Sequence, residues 1–388
     1  MSDRNTTGEG SANATSDGGA VISDGSLVAR WEAIREREVT VVGLTVIAVA
    51  LFPWLFSRAP VVSDLLLGYQ SLATLMLIWG IFAVGFDLLL GYTGLLSFGH
   101  AAFWGGAAYV AGIVANNVSA DPIVMVVSGT VFAILLAWVL GFLSLRRGGI
   151  YFSILTLAFG QMLYYMSAAP LAFLTGGENG LTGISVGALF GQFHLESELP
   201  SVAGTLLGNW MYLFVAVFAV LAVAAAYRIL NSPYGMVFRA IRENEQRAEF
   251  VGLNVWRYKL MAFIISGAFA GVAGSLFTIH GSYVPLQSLY WTESGEIVIM
   301  TVLGGTASLF GPIAGAGLYL YVENIVSGVQ TLYLPFTQVV LVQDFGTYWH
   351  LLLGLVFVVV IWVAPSGIWG GVSDLRSSVR NLVGGDRR

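Results

Sequence analysis

The chain has 388 residues, 57% hydrophobic and only 10% charged, with mean hydropathy +0.80 and a formal net charge of −5. A soluble domain carries about a quarter charged residues, so the long apolar runs here indicate a polytopic helical membrane protein, without the alternation of a β-barrel. The absence of Cys excludes disulfides and thiolate clusters, and the four His, at 100, 194, 280 and 350, have no metal-ligand spacing, so no metal or other cofactor is expected.

In chain order, residues 1–29 are rich in Ser, Gly, Asn, Thr and Asp without an apolar period, which predicts disorder, and no short apolar core marks a signal peptide. Arg30–Glu38 alternates in charge and is expected at the membrane surface, completing a 1–38 tail. Apolar segments then predict about ten transmembrane or half-membrane helices, over 39–56, 65–90, 101–116, 123–143, 150–168, 206–229, 260–280, 295–303, 310–328 and 347–364. The eighth is too short to cross alone. Gly304, Gly305, Gly311 and Pro312 break the run from Glu296 to Ile325, which predicts a bent hairpin. These segments make a 39–365 transmembrane domain, followed by a 366–388 basic tail, and the 169–205 loop is the longest external segment. With both termini cytoplasmic, Arg30, Arg35, Arg37, Arg146, Arg147, the basic residues of 228–259 and Arg376–Arg388 all fall inside, and Arg58 is the exception.

Gly91–Gly112 interrupts its apolar run at Gly91, Gly94 and Gly99, and Ser97 offers an N-cap before a small-residue helix over Ala101–Gly112. A helix N terminus inside a bundle presents free N–H groups suited to a carboxylate-bearing substrate. Alternatively the break is filled by packing, with His100 hydrogen-bonded to backbone. Gly267, Gly271 and Gly274, and likewise Gly311 and Gly315, read as helix-packing faces. Asp87, Glu296 and Glu323 lie near span ends and read as solvated acids. Ser97-Phe-Gly-His and Ser308-Leu-Phe-Gly echo each other, as two repeat-related halves would. No catalytic set of Ser, His and acid can be assembled, so enzyme chemistry is not expected.

The most informative stretch is Ser232–Lys259, SPYGMVFRAIRENEQRAEFVGLNVWRYK, a long charged run between apolar segments with four Arg and the chain's only Lys. Ser232 is expected to cap a helix carrying Pro233 in its first turn. A second, short helix is expected to start at Asn244, with Glu245 in its first turn, and to stop at Gly252. A capped, basic helix pair suits docking to a cytoplasmic partner; the alternative is a solvated, positive-inside loop. Because the single Lys follows Tyr258, a GxxxxGK[ST] phosphate loop cannot occur, and ATP-driven work would need another subunit.

Four stretches together resemble one family: GLLSFGHAAFWGGAAYVAG (94–112), GGIYFSILTLAFGQM (148–162) with TGGENGLTGI (175–184), residues 232–274, and VLGGTASLFGPIAGA (302–316). They are similar to the permease subunits of ABC importers for branched-chain amino acids. The resemblance runs from about residue 40 to 365 and implies an all-α fold and a multi-pass place in the lipid of the cell membrane. It implies partners: ABC ATPase subunits, a sister permease and an external substrate-binding protein, with no nucleic acid. Asn244–Gly252 is similar to the family's coupling helix, so Arg239, Arg242, Asn244, Glu245, Arg247, Ala248 and Gly252 are expected at the ATPase contact. Ser97, Gly99, His100 and Gln161 are expected along the substrate pathway. Gln161 stands where the family often has an acid, Thr306 replaces Gly, and 328–348 is longer than usual. The alternatives are a urea or short-amide permease of the same family, or an ATPase-independent carrier. A carrier would be expected to hold a titratable acid in mid-span, and 123–143 and 260–280 contain none.

Overall fold

With no water in the hydrocarbon layer, a buried apolar segment satisfies its backbone internally, as a helix does. The computed structural model describes residues 24–57, 69–146, 148–328, 331–333, 340–343, 349–363 and 367–371. Its helices are α1 (Asp24–Ser57), α2 (Gln70–Thr93), α3 (His100–Asn117), α4 (Pro122–Ser144), α5 (Ile150–Ala168), α6 (Ala172–Thr175), α7 (Ser201–Leu207), α8 (Trp210–Leu230), α9 (Pro233–Glu243), α10 (Glu245–Phe250), α11 (Val255–Gly281), α12 (Trp291–Gly304), α13 (Gly311–Gly328) and α14 (Trp349–Val363). Among the described residues, five stretches, Val39–Ser57 within α1, α2, α4, α8 and α11, are long and apolar enough to cross a membrane; a sixth arises if α5 and Ala172–Asn179, bent by 77°, form one span.

Two boundaries differ from the sequence expectation. α1 begins at Asp24, inside the stretch expected to be disordered, because a helix propagates through polar residues once an apolar end is anchored. α11 begins at Val255 rather than near 260. Asn254 caps it, accepting from the Arg257 N–H at 3.2 Å, so the helix extends past the apolar run that marks its span. Of the expected 1–38 and 366–388 tails, residues 1–23, 366 and 372–388 lie outside the described residues.

The packing core is α11 against α4, α2 and α3. Small residues set that closeness: a Cβ on Gly267 would lie 2.5 Å from Ala137 Cβ, one on Gly271 would lie 2.6 Å from Ala133 Cβ, and one on Gly274 would overlap the Trp104 carbonyl. The hairpin expected from the glycine breaks is present as α12 and α13. Gly304, Gly311 and Gly315 let the two backbones touch, since a Cβ on Gly304 would overlap the Gly311 carbonyl oxygen. The all-helical expectation needs one small correction, a two-stranded antiparallel ribbon of Thr331–Tyr333 with Val340–Gln343.

Contacts sort the helix ends into two sets. At one end Tyr69 bonds Asn324, Ser71 bonds His280, and Leu181 of the long loop pairs with Val284. At the other end lie the last turn of α2, the start of α3, α9–α10 and the α12–α13 turn, which meet through Arg242, Gly91, Asp87 and Ala307. Phe310, just before α13, meets the Trp369 ring at a tilt, with centroids 5.7 Å apart, placing the short helical segment 367–371 at this second end as well.

Candidate functional site

The charged run folds as a unit of its own. Asn244 serves both helices: its N–H donates to the Ala240 carbonyl as α9 ends, and its Oδ1 accepts from the Arg247 N–H at 2.9 Å as α10 begins. Gly252 stands just past the end of α10 at φ 86°, and the following Leu253 N–H reaches back to the Ala248 carbonyl at 3.2 Å. Ala248, Ile241 and Val255 form a small core separate from that of the bundle. Lys259 of α11 pairs with Glu245 at 2.5 Å; with half of the Glu245 side chain exposed, that pair fixes geometry more than it stabilises. Ser232 occupies the N-cap position of α9, but its hydroxyl donates back to the Ile229 carbonyl, so α9 starts on Pro233 without a side-chain cap.

The expected coupling residues divide into two sets. Arg239 and Arg242 turn toward the bundle: Arg239 donates to the Leu230 carbonyl and lies over the Tyr92 ring, and Arg242 donates to the Gly91 carbonyl. Two cations at the C-terminal end of α2 complement its dipole. Arg247 is exposed, Ala248 is buried, and Glu245 faces Lys259. The residues the sequence reading missed are Phe250 and Val251, 90% and 73% exposed at the tip of α10. The available signal was a pair of large apolar residues inside a charged run, where solubility alone asks for none.

The break before α3 is packed. Gly99 takes the N-cap position, and the Ser97 hydroxyl accepts from the Gly99 N–H at 3.3 Å, so Ser97 shapes the turn without capping the helix directly. The Ala101 N–H, free in the sequence reading, donates to Ser294 Oγ of α12 at 2.8 Å. His100 is fully buried with Nε2 2.8 Å from Ser266 Oγ, inside a ring of Phe82, Phe86, Phe103 and Phe263. Its partner is thus a side chain of α11 and not backbone. Gln161 is half-buried on α5, a helix with only four buried residues. Ser97, Gly99 and His100 lie together at the break, and the residue before Gln161, Gly160, packs on it: a Cβ there would lie 3.5 Å from Gly99 Cα. Between the break, the start of α5 and the charged helix pair lies a cavity of about 480 Å³ whose lining includes Gly94, Leu96, Ser153, Arg242, Asn244 and Lys259.

The three acids depart from the solvated reading, Asp87 most. Asp87 is 2% exposed, and its Oδ1 accepts the Ala307 N–H at 3.0 Å. Glu296 and Glu323 are half-buried on the facing helices α12 and α13.

Residues 68–361 match the profile of the permease component of branched-chain amino acid transport systems. The chain belongs to that permease family. It is similar to the high-affinity branched-chain amino acid transport permease LivM of Escherichia coli, 30% identical over 86% of this chain and 75% of that protein. A probable LivM of Methanocaldococcus jannaschii is 27% identical over 74% of this chain and 81% of its own length. A probable LivH of the same organism matches 43% of this chain at 29% identity. The permease match covers α2 through α13, with the break before α3 and the charged helix pair, so the site described above lies inside the family's region while α1 precedes it.

Proposed function

We propose that this chain is the permease subunit of an ABC importer for branched-chain amino acids, docking a separate ATPase through α9–α10. The observation that carries the reading is a helix pair with its own caps and core that nevertheless leaves Phe250 bare at its tip. A solvated loop has no use for that residue; a groove on a partner subunit has. Similarity to both a LivM and a LivH supports a sister permease in the complex, and an external binding protein would deliver the substrate. In this reading Gln161 faces the pathway, while Ser97, Gly99 and His100 hold its packed wall. The bundle makes ten alternating passes, from α1 through α14, counting both legs of the α12–α13 hairpin, of which α12 is about 21 Å long. Ser97 and Ser308 each accept a backbone N–H just ahead of a small-residue helix, which supports two repeat-related halves.

Proteoliposomes holding this chain with its sister permease, ATPases and binding protein should take up leucine only with ATP. Uptake of urea in preference to leucine would move the substrate to the amide branch, and ATP-independent uptake would make the chain a carrier. Orientation has its own test in this Cys-free chain. Cysteines placed at Ser197 and Ser282 should react with an impermeant reagent from outside, and one at Ser378 should not. Protection of Ser282→Cys with labelling of Ser378→Cys reverses the proposed orientation.

A further inference from the structure

Three elements meet at the last turn of α2. Arg242 of α9 donates from Nη1 to the Gly91 carbonyl. One turn earlier, the buried Asp87 carboxylate accepts from the Ala307 N–H at 3.0 Å. Ala307 sits in the α12–α13 turn at φ 60°, between Gly305 at φ 108° and Ser308, whose hydroxyl donates to the Gly305 carbonyl. A left-handed Ala costs about 1 kcal/mol or more and persists only where its surroundings hold it. The Asp87 carboxylate anchors it from α2, and within the turn the Ser308 hydroxyl bridges Gly305 and Gly311. Gly91 makes the approach possible, because a Cβ there would overlap Asp87 Oδ1 and lie 2.5 Å from the Ala307 nitrogen. A buried acid within a membrane bundle needs compensating partners, and Asp87 has the Ala307 N–H and the nearby charge of Arg242.

We propose that Asp87 is a positioning residue for transport: it ties the α12–α13 turn to α9 through the end of α2, so that displacement of the docking helices by the ATPase moves the hairpin. The link rests on the docking reading of α9–α10. The hairpin is suited to answer, since α12 has 14 residues and ends in Gly304 and Gly305, which absorb backbone rotation at a hinge.

The test is the ratio of ATP hydrolysed to leucine taken up by the reconstituted complex. Asp87→Ala should keep its ATPases and hydrolyse ATP while uptake falls at least tenfold. Asp87→Asn, whose amide oxygen still accepts from the Ala307 N–H, should recover most of the uptake. A wild-type ratio in Asp87→Ala overturns the proposal. A second measurement does not depend on that variant. Spin labels on Thr306→Cys and Ser282→Cys should change separation when the complex is trapped with vanadate, while Thr306→Cys and Tyr234→Cys on α9 should keep theirs. A fixed distance between Thr306→Cys and Ser282→Cys, or a changing one between Thr306→Cys and Tyr234→Cys, overturns the link. Failure of the docking reading would show differently, as full ATPase binding by a Phe250→Ala chain.

Discussion

Phe250→Ala is expected to cut the affinity of the permease for its ATPase by about thirtyfold or more, with ATP-dependent uptake falling in step. Burying a Phe side chain contributes about 1.5–3 kcal/mol, and an aromatic anchor at the centre of an interface commonly reaches 2 kcal/mol or above, where 1.4 kcal/mol is tenfold. Phe250 makes little contact within its own chain, so its loss leaves the permease fold untouched. Gly252→Val acts on the same surface by another route. No atom lies within 4 Å of a Cβ there, so the valine meets no clash, only the strain of φ 86°, about 1–3 kcal/mol. That strain should tilt α10 and misdirect Phe250. The measurement is copurification of the ATPases in detergent together with uptake in proteoliposomes. Wild-type copurification by both variants would remove α10 from the interface.

Gly274→Val is expected to abolish the folded protein. A Cβ at 274 would overlap the Trp104 carbonyl oxygen, a backbone group of α3 that cannot rotate away, and α11 is the helix on which α2, α3 and α4 pack. Overpacking a tight core costs about 1–3 kcal/mol where side chains can yield, and here the neighbour is backbone, so the cost is higher. Gly295→Ala is the matched control: nothing lies within 4 Å of a Cβ there, and it should fold as the parent does. Size-exclusion chromatography after membrane extraction reads both. A monodisperse Gly274→Val would show that the α3–α11 crossing is looser than the structure has it. The same logic governs Gly99, where a Cβ would overlap the Thr156 carbonyl oxygen; Gly99→Leu therefore perturbs the α3–α5 contact and does not report on the pathway.

Much of this protein was legible one segment at a time. Apolar run length placed α4 and α5 to within a residue, because in lipid a helix lasts as long as its hydrophobic stretch. Asn244 and Gly252 announced the ends of α10, because capping chemistry is local and depends on residues within one turn. The glycines at 304, 305 and 311 announced the hairpin for the same reason. What the sequence could not hold was which side chain meets which across the bundle. Asp87 reads as an ordinary acid near a span end until α2 is set against a turn some 220 positions away. Ser294 removes the free N–H at Ala101 from across the bundle, and Ser266 and four Phe rings do the same for the open character of His100. Arg239 and Arg242 share the charged run with Arg247, yet their direction, inward to α2, is set by the packing of α9 on the bundle. Helix limits depend on neighbours in sequence and survive in one dimension; burial, partner choice and the direction of a long side chain depend on neighbours in space, and only the tertiary structure decides them.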